Sequence, residues 1–258
     1  MNQTIYIGAI ASFLAGMATA VGALPIFFTS KLDKKWQSIL LGIGGGVMLA
    51  ATTFSLIIPG KEAAMSLGYS QISSALIMGV GIVLGAGLLW LIHNNFPHEH
   101  FNQGKEGLVL ENFQRIWLFV LAITLHNFPE GLSVGVGFGD GNISSGLPLA
   151  IGIGLQNMPE GLVVALALRE LDYSIAYAFG VSLLTGLVEP IGGIFGATVV
   201  SLGQSVLPWG MAAAAGAMLF VIVDEIIPEI DRESIAQEGT LGIMTGFVAM
   251  MFLDIAFG

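Results

Sequence analysis

Apolar residues run along this chain in eight long stretches divided by short polar punctuation: about Thr4 to Phe28, Gln37 to Pro59, Gln71 to His93, Arg115 to Phe138, Pro148 to Leu168, Ile175 to Leu202, Pro208 to Ile230 and Gly239 to Phe257. Each stretch, coiled as a helix, reaches across a hydrocarbon layer of about 30 Å. Backbone N–H and C=O groups in lipid must be satisfied within the segment, which favours helices over open sheets. The predicted fold is therefore all-α: a polytopic membrane protein with eight transmembrane helices in one domain, residues 1–258. The longest connection is 94–114.

Composition agrees. The chain is 55% hydrophobic and 10% charged, against about 25% charged for a domain that faces water. It has no cysteine and a net charge of −10, which excludes disulfides, thiolate metal sites and an ordinary nucleic-acid binder. The first 30 residues carry no charge, so they lack the basic start of a cleavable signal and read as a first helix. Basic residues fix the orientation. Lys31, Lys34, Lys35, Lys105, Arg115, Arg169 and Arg232 follow helices 1, 3, 5 and 7, and Lys61 alone lies on the other side. Short basic loops stay cytoplasmic, which predicts external termini and a cytoplasmic loop 94–114.

Two internal similarities stand out. His126-Asn127-Phe128-Pro129-Glu130-Gly131 in helix 4 returns thirty residues later as Gln156-Asn157-Met158-Pro159-Glu160-Gly161 in helix 5. A weaker echo links Gly46-Val47-Met48-Leu49 and Ile57-Ile58-Pro59 of helix 2 to Gly216-Ala217-Met218-Leu219 and Ile226-Ile227-Pro228 of helix 7. These two helices run in opposite directions, which predicts an inverted repeat of helices 1–3 and 6–8, an architecture of secondary transporters.

Glu130, Glu160 and Glu189 fall near mid-membrane, where a carboxylate costs several kcal/mol unless it is paired, protonated or bound to a cation. No Lys or Arg lies within these spans, so the three carboxylates imply a cation. His126 with Glu130, and Gln156 with Glu160, are four apart and share a helix face. Asn127 and Asn157, one position on, are turned by about 100° and suit a second, adjoining ion. Pro129 and Pro159 lack an N–H, which exposes the carbonyls of Leu125 and Leu155. Carboxylates, amides and one imidazole without thiolate suit Zn2+, Mn2+, Fe2+, Co2+ or Cd2+. Two divalent ions against three carboxylates favour a binuclear arrangement with Glu130 and Glu160 as bridges. Met48, taken by itself, reads as plain packing. Asp224, Glu225 and Glu229 read as a solvated helix end.

The doubled motif, the eight spans and the His-bearing loop resemble the ZIP family of divalent-metal transporters over essentially the whole chain. The resemblance implies a first metal site of Met48, His126, Glu130, Gln156 and Glu160, and a second of Asn127, Glu130, Asn157, Glu160 and Glu189. It also implies a homodimer and an elevator-like motion of helices 1, 4, 5 and 6 against 2, 3, 7 and 8. Many members carry His where this chain has Gln156, and some bacterial relatives carry Asp in place of Asn157. Gln is a weaker ligand than His, and within the family Gln at this position is similar to a broad-specificity bacterial branch, a resemblance that implies an importer in the plasma (inner) membrane. The metal is cargo; no resident cofactor is predicted, and the partners are the metal, lipid and a second copy.

Two further groups are candidates. His98-Glu99-His100 with His93 nearby reads either as a solvated loop or, by resemblance, as an auxiliary metal site on the cytoplasmic side. Ser55, Glu62 and Asp254 fall toward the external surface, and positions 48, 55 and 62 recur every seven residues along helix 2, which predicts a way in for metal. No His-Glu-x-x-His helix is present, so a zinc protease is excluded. The rival function is a proton- or sodium-coupled carrier of another small solute that uses the same carboxylates as a relay.

Overall fold

The computed structural model describes residues 2–29, 33–95, 124, 127–139, 141–170, 173–231 and 236–257. Among them the chain is helical, with no strand. Helix α1 is Asn2–Ala23, closed by a 3-10 turn at Leu24–Phe27. Helix α2 runs from Lys34–Ala51 through a π-helical stretch, Thr52–Ile57, into Ile58–Ser66. Helix α3 is Gln71–Asn95, α4 covers 127–137 and α5 is Ile143–Glu170. Helix α6 is broken into α6a, Ile175–Gly186, and α6b, Glu189–Ser201. Helix α7 runs from Leu207–Val221 through π-helical Ile222–Ile226 into Ile227–Asp231, and α8 is Ala236–Phe257. Seven stretches among the described residues are long and apolar enough to cross a membrane. The protein is a multi-pass membrane protein, and large side chains such as Ile72, Leu76, Val83, Phe252 and Ile255 are exposed on its outside.

Four helices differ from the expected form or limits. Pro59 does not end α2. An α-helix would ask Pro59 to bond the Ser55 carbonyl, and proline has no N–H to give; the helix instead widens, Ile58 N–H bonding Thr53 O, and continues to Ser66. Pro228 has the same consequence in α7, where Ile227 N–H bonds Ile222 O. The two π stretches begin at Thr52 and Ile222, each following the Gly-x-Met-Leu echo. Helix α5 starts at Ile143 rather than Pro148, and α6 breaks at Leu187–Val188.

Helix α1 packs on α5 and both halves of α6, α2 pairs with α8, and α3 pairs with α7. Glycine permits these approaches. A Cβ on Gly16 would collide with the Gly186 carbonyl oxygen, and one on Gly131 with that of Glu189, binding α1 and α4 to the α6 break. On the other side, a Cβ on Gly46 would collide with Ile243 O of α8 and one on Gly216 with Ile82 O of α3. Bare glycines where backbones touch are the means by which membrane helices pack without a hydrophobic driving force.

Candidate metal centre

The polar residues of the doubled motif in the described chain, Asn127, Glu130, Gln156, Asn157 and Glu160, are buried where α4, α5 and α6b meet, as is Glu189. The i,i+4 spacing of Gln156 and Glu160 stacks them on the face of α5 that turns inward. Gln156 Nε2 donates to Glu130 Oε1, joining α5 to α4. Asn157 Nδ2 donates to Glu189 Oε1 at 2.6 Å and to the Ala15 carbonyl at 2.9 Å. Both neighbours of this amide are acceptors, so its nitrogen must face them. The opposite atoms, Asn157 Oδ1, Gln156 Oε1, Glu189 Oε2 and both polar atoms of the Asn127 amide, are buried with no hydrogen-bond partner among the described residues. A buried polar atom without a partner costs about 1–3 kcal/mol, and oxygens left in this way are donors for a cation.

Glu189 owes its place to the broken helix. It is the first residue of α6b and Pro190 the second. Proline is tolerated in a first helical turn, where its N–H has no intrahelical partner, and the exposed N–H groups there favour a carboxylate. Glu189 also lies close enough to Glu160 for their charges to repel. Two like charges in a buried site make it a place that a cation stabilises. Among the described residues no three His, Asp or Glu side chains converge as a ready-made metal cluster; the described donors are carboxylates interleaved with amides. His126, the imidazole of the first motif, lies outside the described residues, as do His98, Glu99 and His100, while His93 falls in α3.

Met48 is fully buried in α2, one turn beyond Gly44, whose added Cβ would stand 3.8 Å from Gln156 Cβ. That turn faces α5. Toward the far ends of the helices a cavity of about 610 Å3 opens, lined by Ser55, Pro59, Glu62, Gly139, Ser145, Gln204, Met211 and Asp254 among others. Ser55 Oγ donates to Asp254 Oδ2 at 2.6 Å, so the three residues expected at the outer end share one cavity. Sequence reasoning missed the Ala15 carbonyl, which any residue would supply, and the break before Glu189, which Pro190 signals.

Residues 97–254 match the family profile described as ZIP Zinc transporter. The chain is 47% identical to the protein named zinc transporter GufA of Myxococcus xanthus, over 97% of this chain and 99% of that one. It is 42% identical to the protein named zinc transporter ZIPB of Bordetella bronchiseptica, over 93% and 78%, and 31% identical to the protein named zinc transporter ZupT of Stenotrophomonas maltophilia, over 95% and 93%. Full-length likeness of this order, joined to the buried carboxylate and amide junction, places the chain in the ZIP family of membrane transporters.

Proposed function

We propose that this protein imports divalent transition-metal ions, zinc and neighbours such as iron, manganese, cadmium and cobalt, into the cytoplasm across the plasma (inner) membrane. The observation that carries the reading is the buried junction where Glu130 meets Gln156 and Glu189 meets Asn157, in a chain whose relatives are named zinc transporters. Two ions are held there. Met48, His126, Glu130, Gln156 and Glu160 take the first; Asn127, Asn157 and Glu189 take the second, with Glu130 and Glu160 shared. Metal enters through the cavity of Ser55, Glu62 and Asp254 and leaves toward loop 94–114, where His93, His98, Glu99 and His100 bind it weakly.

The packing supports a division into a moving and a stationary group of helices. Helices α1, α4, α5 and α6 travel as one body past α2, α3, α7 and α8 of a homodimer, in an elevator-type cycle. The glycine contacts within each group support that division, and the matched π stretches of α2 and α7 support an inverted repeat. Both termini lie outside. The test is competition uptake in proteoliposomes under a controlled pH gradient. Saturable zinc uptake, reduced by excess Cd2+, Fe2+, Mn2+ or Co2+ and not by Mg2+, is expected. Proton or sodium flux with no metal accumulation overturns the proposal.

A further inference from the structure

The main apolar cluster contains four methionines, Met48, Met211, Met218 and Met250, none more than 3% exposed. Their order follows from the helices. Met211 lines the cavity, and a Cβ on Gly60 would stand 3.1 Å from its Cβ, which fixes it level with the outer part of α2. Met218 lies seven residues deeper on α7, at the position that repeats Met48. Met250 belongs to α8, and a Cβ on Gly152 would collide with its sulfur. Gly152 is one turn before Gln156 on the same face of α5, so this thioether stands directly outward of a donor of the metal centre.

We propose that Met211, Met218 and Met250 are specificity-determining residues: a thioether-lined step between the outer cavity and the first metal site that passes soft divalent ions in preference to hard ones. This rests on the transport reading above and adds residues to it. An ion leaving Asp254 must shed water before it reaches Glu130, and a purely aliphatic plug offers nothing in exchange. Thioether sulfur is polarisable and offers a lone pair, which suits Cd2+ and, less strongly, Zn2+; Mn2+ and Mg2+ prefer oxygen. The hydroxyls of α2 in this stretch already have engagements of their own. Thr52 donates to Met48 O at 2.7 Å, Thr53 to Leu49 O at 3.1 Å and Ser55 to Asp254. Methionine is also an adaptable packing residue, and packing alone predicts a different outcome: leucine, of similar volume, then alters the passage of all metals alike.

The experiment compares wild type with Met211→Leu/Met218→Leu/Met250→Leu in proteoliposomes, measuring initial uptake of Cd2+, Zn2+ and Mn2+ separately at subsaturating concentration. The ratio of Cd2+ to Mn2+ uptake is expected to fall about tenfold, equivalent to ~1.4 kcal/mol of barrier, with zinc intermediate and manganese little changed. An unaltered ratio, or an equal fall for all three ions, overturns the proposal. A wild type that carries no metal overturns the transport reading instead. Met250→Leu alone removes one sulfur and is expected to move the ratio in the same direction by a smaller factor; where the triple variant does not insert, this single variant decides by the same criterion.

Discussion

Asn157 Nδ2 donates a 2.6 Å hydrogen bond to Glu189 Oε1, putting an N–H where an ion bound to that carboxylate oxygen would stand. The same nitrogen donates to the Ala15 carbonyl, so one side chain of α5 ties α1 to the break in α6. An ion that binds Glu189 Oε1 must displace this amide, whereas Glu189 Oε2 and Asn157 Oδ1 have no hydrogen-bond partner among the described residues. The amide and an ion are therefore alternatives at Glu189 Oε1.

Removing the amide leaves Glu189 buried without its donor. Asn157→Ala is expected to destabilise the metal-free protein by about 2 kcal/mol, the scale of a hydrogen bond to a charged group. Asn157→Asp sets a carboxylate against both Glu189 and a carbonyl, a repulsion that a bound cation relieves. Thermal melts in detergent with and without zinc check both statements. The zinc-induced rise in Tm is expected to be larger in Asn157→Asp than in wild type; a smaller rise argues that no ion reaches Glu189.

Gln156 donates to Glu130 and turns Oε1 toward no partner among the described residues. Gln156→His replaces an amide with an imidazole, which suits zinc better than manganese. The ratio of zinc to manganese uptake is expected to rise. An unchanged ratio removes Gln156 from the list of ligands.

Glu62 and Asp254 line one cavity. Carboxylates at a pore mouth concentrate cations, an effect that salt screens over about 8 Å at physiological ionic strength. Glu62→Gln/Asp254→Asn is expected to raise the apparent KM for metal at low ionic strength, to leave uptake at saturating metal nearly intact and to differ less from wild type in high salt. An unaltered concentration dependence at low salt shows that metal enters elsewhere.

His98 and His100 flank Glu99 in the loop that the distribution of basic residues predicts to be cytoplasmic. Replacing both by Ala is expected to keep transport competent while changing its rate or its response to cytosolic metal. A peptide of this segment that takes up no zinc at micromolar concentration, measured by calorimetry, contradicts the auxiliary site.

Much of this architecture was legible because hydrocarbon imposes one length and one kind of backbone pairing, so apolar runs mark spans directly. Asn127, Glu130, Gln156, Asn157, Glu160 and Glu189 were legible because charge and amide are costly at that depth and stand out against apolar neighbours. The widening of α2 and α7 was not, since proline says only that a hydrogen bond is missing and leaves open whether the helix stops, kinks or dilates. Pro59 read as an end, and α2 continues for another turn and more, carrying Glu62 on helix rather than loop. Ala15 was invisible because its contribution is a backbone carbonyl. Ser55 and Asp254, 199 residues apart, could be assigned to the same end of the bundle from helix direction, while their hydrogen bond depends on the pairing of α2 with α8.

Glu130 is the residue on which the account depends most, because both proposed ions share it. The direct measurement is radiolabelled zinc uptake into proteoliposomes holding equal amounts of wild type and Glu130→Ala, with metal-dependent thermal stabilisation of each protein recorded beside it. Saturable uptake and stabilisation by wild type, with both lost in Glu130→Ala, are expected. Near-normal zinc uptake by the variant at equal incorporation contradicts the shared-carboxylate centre.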